Sequence, residues 1–375
     1  MPNRLQQLHD AGQSVWLDYI DRRMLHDGDL ERRIRDEALA GMTSNPTIFE
    51  KALAEGEAYD EQLAAAKAGL SAWELFEAVE VMDVQTACDQ FRATYDATNG
   101  HDGYVSIEVS PGVANDPDAT IDEGRRLWQA VDRPNVMIKV PGTESGARAV
   151  RALLADGVNV NVTLLFSVDA HRRVMAAYLD ALDERAAAGK PVDNVASVAS
   201  FFVSRVDNEV DKRLDALAAN LPEDRRAHAL ALRGKAAIAN AKTAYKAFQE
   251  TFAGPRWEAL RAKGAMVQRP LWASTSTKNP AYRDVLYVEQ LVGPDTVNTL
   301  PPATLDAFRD HGDTARTIDA DVAGAERTLA DLEALGIPMR EVTDKLLAEG
   351  IASFQKSFDG LLANIDKKMA SLAVR

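Results

Sequence analysis

Val158-Asn159-Val160-Asn161-Val162-Thr163-Leu164 alternates apolar and polar side chains without a break. A period of two is the signature of a strand, with Val158, Val160 and Val162 on one face and Asn159, Asn161 and Thr163 on the other. Just upstream, Ala147, Val150 and Leu154 mark one face of a helix, and Gly157 stands where a helix stop is wanted. The stretch is therefore a strand entered from a helix. Seven further short β-branched or apolar runs share this setting: Ser14–Ile20, Gly41–Asn45, Tyr104–Ser110, Asn135–Val140, Asn194–Phe202, Pro270–Ser274 and Val297–Leu300, while the quoted run extends over Val158–Phe166. Strands separated by helices imply a parallel sheet. Eight of them favour an α/β fold of the closed (β/α)8 TIM-barrel type, with extra helices and a long C-terminal helix, over an open doubly wound sheet. Gly142-Thr-Glu-Ser-Gly146 has neither the G-x-G-x-x-G spacing nor a Walker Lys-Ser/Thr, so a nucleotide-binding open sheet lacks its fingerprint.

Other helices carry their own signals. Ser71-Ala-Trp-Glu74 and Thr120-Ile-Asp-Glu123 both fit the capping-box pattern. Val206, Val210, Leu214 and Leu217 trace an apolar stripe, and Leu346, Phe354, Phe358, Leu361, Ile365 and Leu372 trace another along a long final helix. Such stripes are read as core faces. No repeat, low-complexity tract or linker divides the chain, so residues 1–375 read as one domain.

The outer face of a barrel strand packs on helices, so the valines of the quoted strand point outward and its polar residues inward. A barrel interior is a packed core, and inward polar groups need a reason. They form either a network that only satisfies itself or a site at the carboxyl ends of the strands. The pattern recurs. Tyr104-Val-Ser106-Ile-Glu108-Val109 turns Ser106 and Glu108 to one face, and such a glutamate is either a paired structural charge or a general acid/base. Lys139 ends the run Asn135-Val-Met-Ile-Lys139 before a Pro-Gly turn. It is either a snorkelling surface lysine or, inside a barrel mouth, a desolvated amine suited to Schiff-base chemistry. Asp18 closes the first run in the same way. Together these residues describe a polar barrel mouth.

The 375 residues are 46% hydrophobic, 27% charged and 6% aromatic, enough for a large core and inconsistent with disorder. With 43 Lys and Arg against 57 Asp and Glu, the net charge is -14. That sign argues against a nucleic-acid coat, so any phosphate site must be a local cationic pocket. The single cysteine, Cys88, excludes an internal disulfide framework and fits a reducing compartment. No run approaches the about 20 apolar residues of a membrane span, and the polar opening Met1-Pro-Asn-Arg-Leu-Gln-Gln is unlike a secretory signal. A soluble cytoplasmic protein is expected.

Several motifs are similar to those of transaldolases. Gly41-Met-Thr-Ser-Asn-Pro-Thr-Ile-Phe49 resembles the Thr-Thr-Asn-Pro-Ser element, and Ile138-Lys139-Val140-Pro141 the Schiff-base lysine strand. Asn159-Val-Asn161-Val-Thr163-Leu-Leu-Phe-Ser167 resembles the family's Asn-x-Thr-Leu-Leu-Phe-Ser, and Ala199-Ser200-Phe-Phe-Val-Ser-Arg205-Val206 its Ser-x-Phe-Val-x-Arg segment. The likeness spans nearly the whole chain in family order. With Arg269-Pro-Leu-Trp-Ala-Ser-Thr-Ser-Thr-Lys-Asn279, it is greatest to the longer bacterial branch.

The resemblance implies transfer of a dihydroxyacetone unit from sedoheptulose 7-phosphate or fructose 6-phosphate to glyceraldehyde 3-phosphate or erythrose 4-phosphate, in the non-oxidative pentose phosphate pathway. It assigns Lys139 as the imine-forming nucleophile and Asp18 as the base for the C4 hydroxyl. Glu108 would act through a water ordered by Thr163. Asn45 and Asn161 would bind substrate hydroxyls, and Ser200 the terminal hydroxyl end. Arg205 is the phosphate arginine. Lys278 is the nearest basic residue to a second phosphate arginine of shorter members, and a lysine there grips without fork geometry. No cofactor or metal is implied, the partners are sugar phosphates, and monomer and homodimer are both open. Phe202 with Glu108 resembles the transferase pattern; fructose 6-phosphate aldolases tend to carry Tyr and Gln at these places. The competing readings are an aldolase releasing free product and a catalytically idle barrel acting as a binding protein.

Other features carry no site. The sequon Asn161-Val-Thr163 lies inward on a strand. The six histidines lack ligand spacing and read as surface or capping residues, Arg22-Arg23 and Arg32-Arg33 as solvated helix faces, and Cys88 as packing.

Overall fold

The computed structural model describes residues 3–54, 57–65 and 69–372; Met1 and Pro2 of the polar opening lie outside them. Eight strands close into a barrel in chain order: β1 (Gln13–Asp18), β2 (Leu39–Thr43), β3 (Tyr104–Glu108), β4 (Val136–Pro141), β5 (Val160–Leu165), β6 (Ser197–Phe202), β7 (Arg269–Ala273) and β8 (Thr296–Leu300). All neighbours pair in parallel, and β8 returns to β1. Each expected run overlaps one strand, with ends shifted by up to three residues.

Val160 and Val162 of β5 are buried. The helix Glu144–Asp156 buries Ala147, Val150 and Leu154 and stops at Gly157, whose φ of +96° lets its N–H close on Leu153 and Leu154 carbonyls. Each buried Val or Leu side chain among these contributes about 1.5–3 kcal/mol of burial. Inside the barrel, Trp16 lies against Gly41, where an added Cβ would come within 2.6 Å of the indole. Only glycine leaves that ring its place.

Ser71 and Glu74 form the expected capping box. The second expected box is corrected: that helix starts at Pro117 behind the Asp116 cap. Thr120 lies inside it, donating back to the Val113 and Asp116 carbonyls, while Glu123 accepts from Ser110 N–H and Oγ. Asp-Pro is the stronger start signal, because Pro at the first helical position needs no amide partner. The final helix, Met339–Leu372, buries Leu346, Phe354, Phe358, Leu361 and Ile365 and packs on the helices Pro46–Ala54 and Ala72–Ala97.

Three further expectations need correction. Arg22 is not on a solvated face: it pairs with buried Asp83 at 2.7 Å and covers the Tyr59 ring. Arg33, with a side chain 13% exposed, is held by Asp29 and Glu37. His171 is fully buried beside Phe201, and burial pushes its pKa down to about 4. Cys88 is buried among helix side chains, as packing.

Candidate active site

Strand register sets the floor of the site. Glu108 of β3 lies beside Lys139 of β4, which lies beside Asn161 of β5. Lys139 Nζ donates to Glu108 Oε2 at 3.0 Å and to the Ser44 carbonyl at 3.0 Å. The two side chains are only 6% and 4% exposed. Burial raises the Glu108 pKa, against the pull of Lys139, and the nearby Asp18 charge raises it further.

Asp18, at the end of β1, is paired in register with Thr43 of β2. Thr43 Oγ1 donates to Asp18 Oδ1 at 2.8 Å and also meets Thr299 Oγ1 at 2.7 Å. Loss of water contact raises the Asp18 pKa, opposed by Lys139, by the Thr43 hydrogen bond, and by Arg205 and Lys278. This carboxylate faces cations without an ion-pair contact to any of them, which suits a group that must take and return a proton.

β5 departs from regular geometry where it meets the mouth. Its register with β6 shifts between Val162 and Leu165, and Leu164 adopts φ +58°. A branched side chain in the left-handed region costs roughly 1–3 kcal/mol. The bulge follows Thr163, whose buried Oγ1 has no hydrogen-bond partner among the described residues. Two residues earlier the opposite holds: Asn161 Nδ2 donates to Ser106 Oγ at 3.0 Å, and its Oδ1 accepts from Ser200 Oγ at 2.6 Å.

Above this floor opens a cavity of about 470 Å³, within the range of small-molecule sites. Asp18, Asn45, Lys139, Thr163, Ser200, Arg205 and Lys278 line it. Glu108 and Asn161 lie just beneath, bonded to Lys139 and Ser200 respectively. Asn45 accepts from Ile48 N–H at the start of the next helix. Arg205, in the first turn of the helix Ser204–Ala218, lies with its guanidinium 5.4 Å from the Phe202 ring centre. Burial lowers its pKa. Lys278 Nζ donates to Ser276 Oγ at 2.7 Å, and burial, then Arg205, push its pKa down. Neither Arg205 nor Lys278 has an ion-pair partner among the described residues, in a chain of net charge -14.

Sequence reasoning missed several lining or supporting groups: Thr43, Thr299, Lys51, Ser276 and Phe354 line the cavity, and the Ser44 carbonyl anchors the lysine. Thr43 and Ser44 lie inside the quoted Asn-Pro motif, and Lys51 lies in the second turn of the helix that follows it, so continuing the motif as a helix would have found Lys51. Phe354 was legible only as part of an apolar stripe.

A closed parallel barrel whose carboxyl face holds a buried lysine, two carboxylates of raised pKa and two cations with no ion-pair partner among the described residues has the layout of a barrel enzyme. The sequence profile described as Transaldolase/Fructose-6-phosphate aldolase matches residues 15–365, and the chain belongs to that family. It is 48% identical to the Transaldolase of Thermobifida fusca over 373 residues, covering 99% of this chain and 100% of that one. It is 45% identical to Transaldolase 2 of Nostoc sp. over 376 residues, 99% of each chain, and 47% identical to the Transaldolase of Parafrankia sp. over the full length of both. These full-length likenesses put the chain among the transferases of the family.

Proposed function

We propose that this transaldolase runs through a Schiff base on Lys139, and the observation that carries the reading is the buried Lys139–Glu108 contact opening onto a cation-lined cavity. The Lys139 amine adds to the C2 carbonyl of a ketose phosphate. The carbinolamine loses water with Glu108 moving the proton, through a water held at the Thr163 hydroxyl. The protonated imine then accepts the electron pair of the C3–C4 bond as Asp18 removes the C4 hydroxyl proton. An aldose phosphate leaves, and a three-carbon enamine stays on the lysine. A second aldose phosphate receives that unit by the reverse steps, with Asp18 returning the proton and water freeing the new ketose.

Asn45 and Ser200 bind hydroxyls from the cavity wall, and Asn161 serves the bound unit from beneath, where it holds Ser200. Arg205 grips the phosphate as a fork and Lys278 as a point charge. Donors are sedoheptulose 7-phosphate or fructose 6-phosphate; acceptors are glyceraldehyde 3-phosphate or erythrose 4-phosphate. This is the exchange of the non-oxidative pentose phosphate pathway, in the cytoplasm, by residues 1–375 acting as one barrel domain in a monomer or homodimer. No cofactor takes part in any step.

The test is a borohydride trap with fructose 6-phosphate, followed by intact mass and peptide mapping. A three-carbon adduct on Lys139 is expected. A six-carbon adduct would remove Asp18 from the cleavage step, and no adduct, where a known transaldolase labels, would overturn the reading in favour of an idle barrel.

A further inference from the structure

The final helix contributes a wall to the site. Phe354, in the helix Met339–Leu372, lines the cavity. Its ring centre lies 5.8 Å from Lys139 Nζ, and the residue is 7% exposed. Both flanking turns are seated. Gly350, one turn before, lies against β5, where an added Cβ would come within 2.9 Å of Leu164 Cδ2. Phe358, one turn after, packs edge-on to Trp73 at 5.2 Å and to Phe76 at 6.0 Å. Phe354 is thereby fixed as an apolar face beside the lysine, in a cavity also lined by Asp18, Asn45, Thr163, Ser200 and Phe202.

Such a face excludes water from one side of any group carried on Nζ. We propose that Phe354 is a specificity-determining residue that keeps bulk water from the lysine-bound three-carbon enamine, so that an aldehyde rather than a solvent proton takes the unit. This rests on the Schiff-base reading above. The reactive enamine carbon is two bonds from Nζ. Transfer joins it to the aldehyde carbon, and the aldehyde oxygen takes its proton from Asp18. Loss instead begins when the same carbon takes a proton from water. Water then adds at C2, the C–N bond breaks, and free dihydroxyacetone and the Lys139 amine are released. In the Schiff-base reading the water for productive hydrolysis is handled by Glu108 and Thr163, so the Phe354 shield leaves that step served.

The experiment compares wild type with Phe354→Ala and Phe354→Leu, using fructose 6-phosphate as donor and erythrose 4-phosphate as acceptor in deuterium oxide. Free dihydroxyacetone is measured against transferred product, with deuterium read at the released hydroxymethyl carbon. Phe354→Ala is expected to raise the released fraction on the order of tenfold, with deuterium incorporated. Phe354→Leu, which keeps bulk, raises it less. A purely structural role would lower both products together and leave their ratio unmoved. Should the alanine variant not fold, Phe354→Val gives the same reading. An unchanged ratio in whichever truncated variant folds overturns the proposal. If wild type yields the borohydride adduct and the ratio is unchanged, only this inference falls; if wild type yields no adduct, the Schiff-base reading falls with it.

Discussion

The two ends of the barrel are both polar, and they treat their polar groups in opposite ways. At the amino end, Arg269 of β7 donates to Ser14 Oγ, to the His101 carbonyl and to Asp102 Oδ1. Asp102 also accepts from Ser14 and from the Trp16 indole. Both charged side chains are about as dry as Lys139 and Glu108, at 5% and 4% exposed. Along one strand the contrast narrows to two side chains. Asn159, at the foot of β5, donates to the Pro134 and Val136 carbonyls and accepts from Ala196 N–H, whereas Thr163, at its head, has no partner among the described residues. Burial therefore does not separate structure from function here. Between these two side chains satisfaction does: Asn159 is closed by backbone groups and Thr163 keeps hydrogen-bonding capacity for something that arrives, although at the amino end Asn135 Oδ1 and Gln268 Oε1 also have no partner among the described residues.

The sharpest way to break this contrast is to remove one charge at each end. Lys139→Ala should lower transfer to background and abolish the borohydride adduct while near-ultraviolet circular dichroism still reports a packed barrel. Asp102→Ala strands the Arg269 charge and should cost about 3–5 kcal/mol in urea unfolding. Its folded fraction should still form the adduct. An Asp102→Ala protein of normal stability, or one that is folded but cannot be labelled, would erase the division between the ends.

Arg205→Ala sharpens the reading of the head itself. A charge-assisted grip is worth roughly 1.5–3 kcal/mol, so KM for fructose 6-phosphate should rise by about ten- to a hundredfold. A non-phosphorylated ketose should be handled as before. Equal losses on both substrates would mean that Arg205 serves the structure of the site, not the phosphate.

Glu108→Gln tests the head through pH. The buried carboxyl of Glu108 keeps its proton to higher pH than in the unfolded chain. Between the ordinary value, about 4.3, and the raised native one, the folded state holds more protons. Stability must fall as pH rises through that window. The Gln variant should lack this portion of the slope, and its imine formation and hydrolysis should slow. A parallel stability–pH curve in both proteins would show that Glu108 ionises normally.

The smallest effect is expected within β5. Thr163→Val removes a hydroxyl that no described residue satisfies, so stability should change by less than about 1 kcal/mol while imine formation slows. Asn159→Leu would leave the Ala196 N–H without its acceptor and should cost about 1–3 kcal/mol. Equal unfolding midpoints for the two variants would contradict the satisfaction rule on the strand that displays it best.

The strands were legible because period-two alternation and helix stops are local properties, and β5 shows both. Lys139, Asp18 and Glu108 stood out because each is charged at a strand end that should be apolar. What stayed hidden depends on distant or backbone groups. The Ser44 carbonyl that anchors Lys139 has no side-chain signature. Arg22 looks solvated beside its acidic neighbours, yet its partner Asp83 is 61 positions away. Leu164 gives no hint of a left-handed backbone, since leucine avoids it. His171 is the exception that was readable: it shares a helix face with Val174, Met175 and Tyr178, all buried.

Phe354 also bears on the order in which the protein is made. Every strand and every charged residue of the site precedes it in the chain, from Asp18 to Lys278. Synthesis runs from the amino end, and domains fold as they emerge. Lys139, Asp18, Glu108, Arg205 and Lys278 are thus all synthesised before the last wall of the cavity, which is complete only when the final helix reaches the mouth.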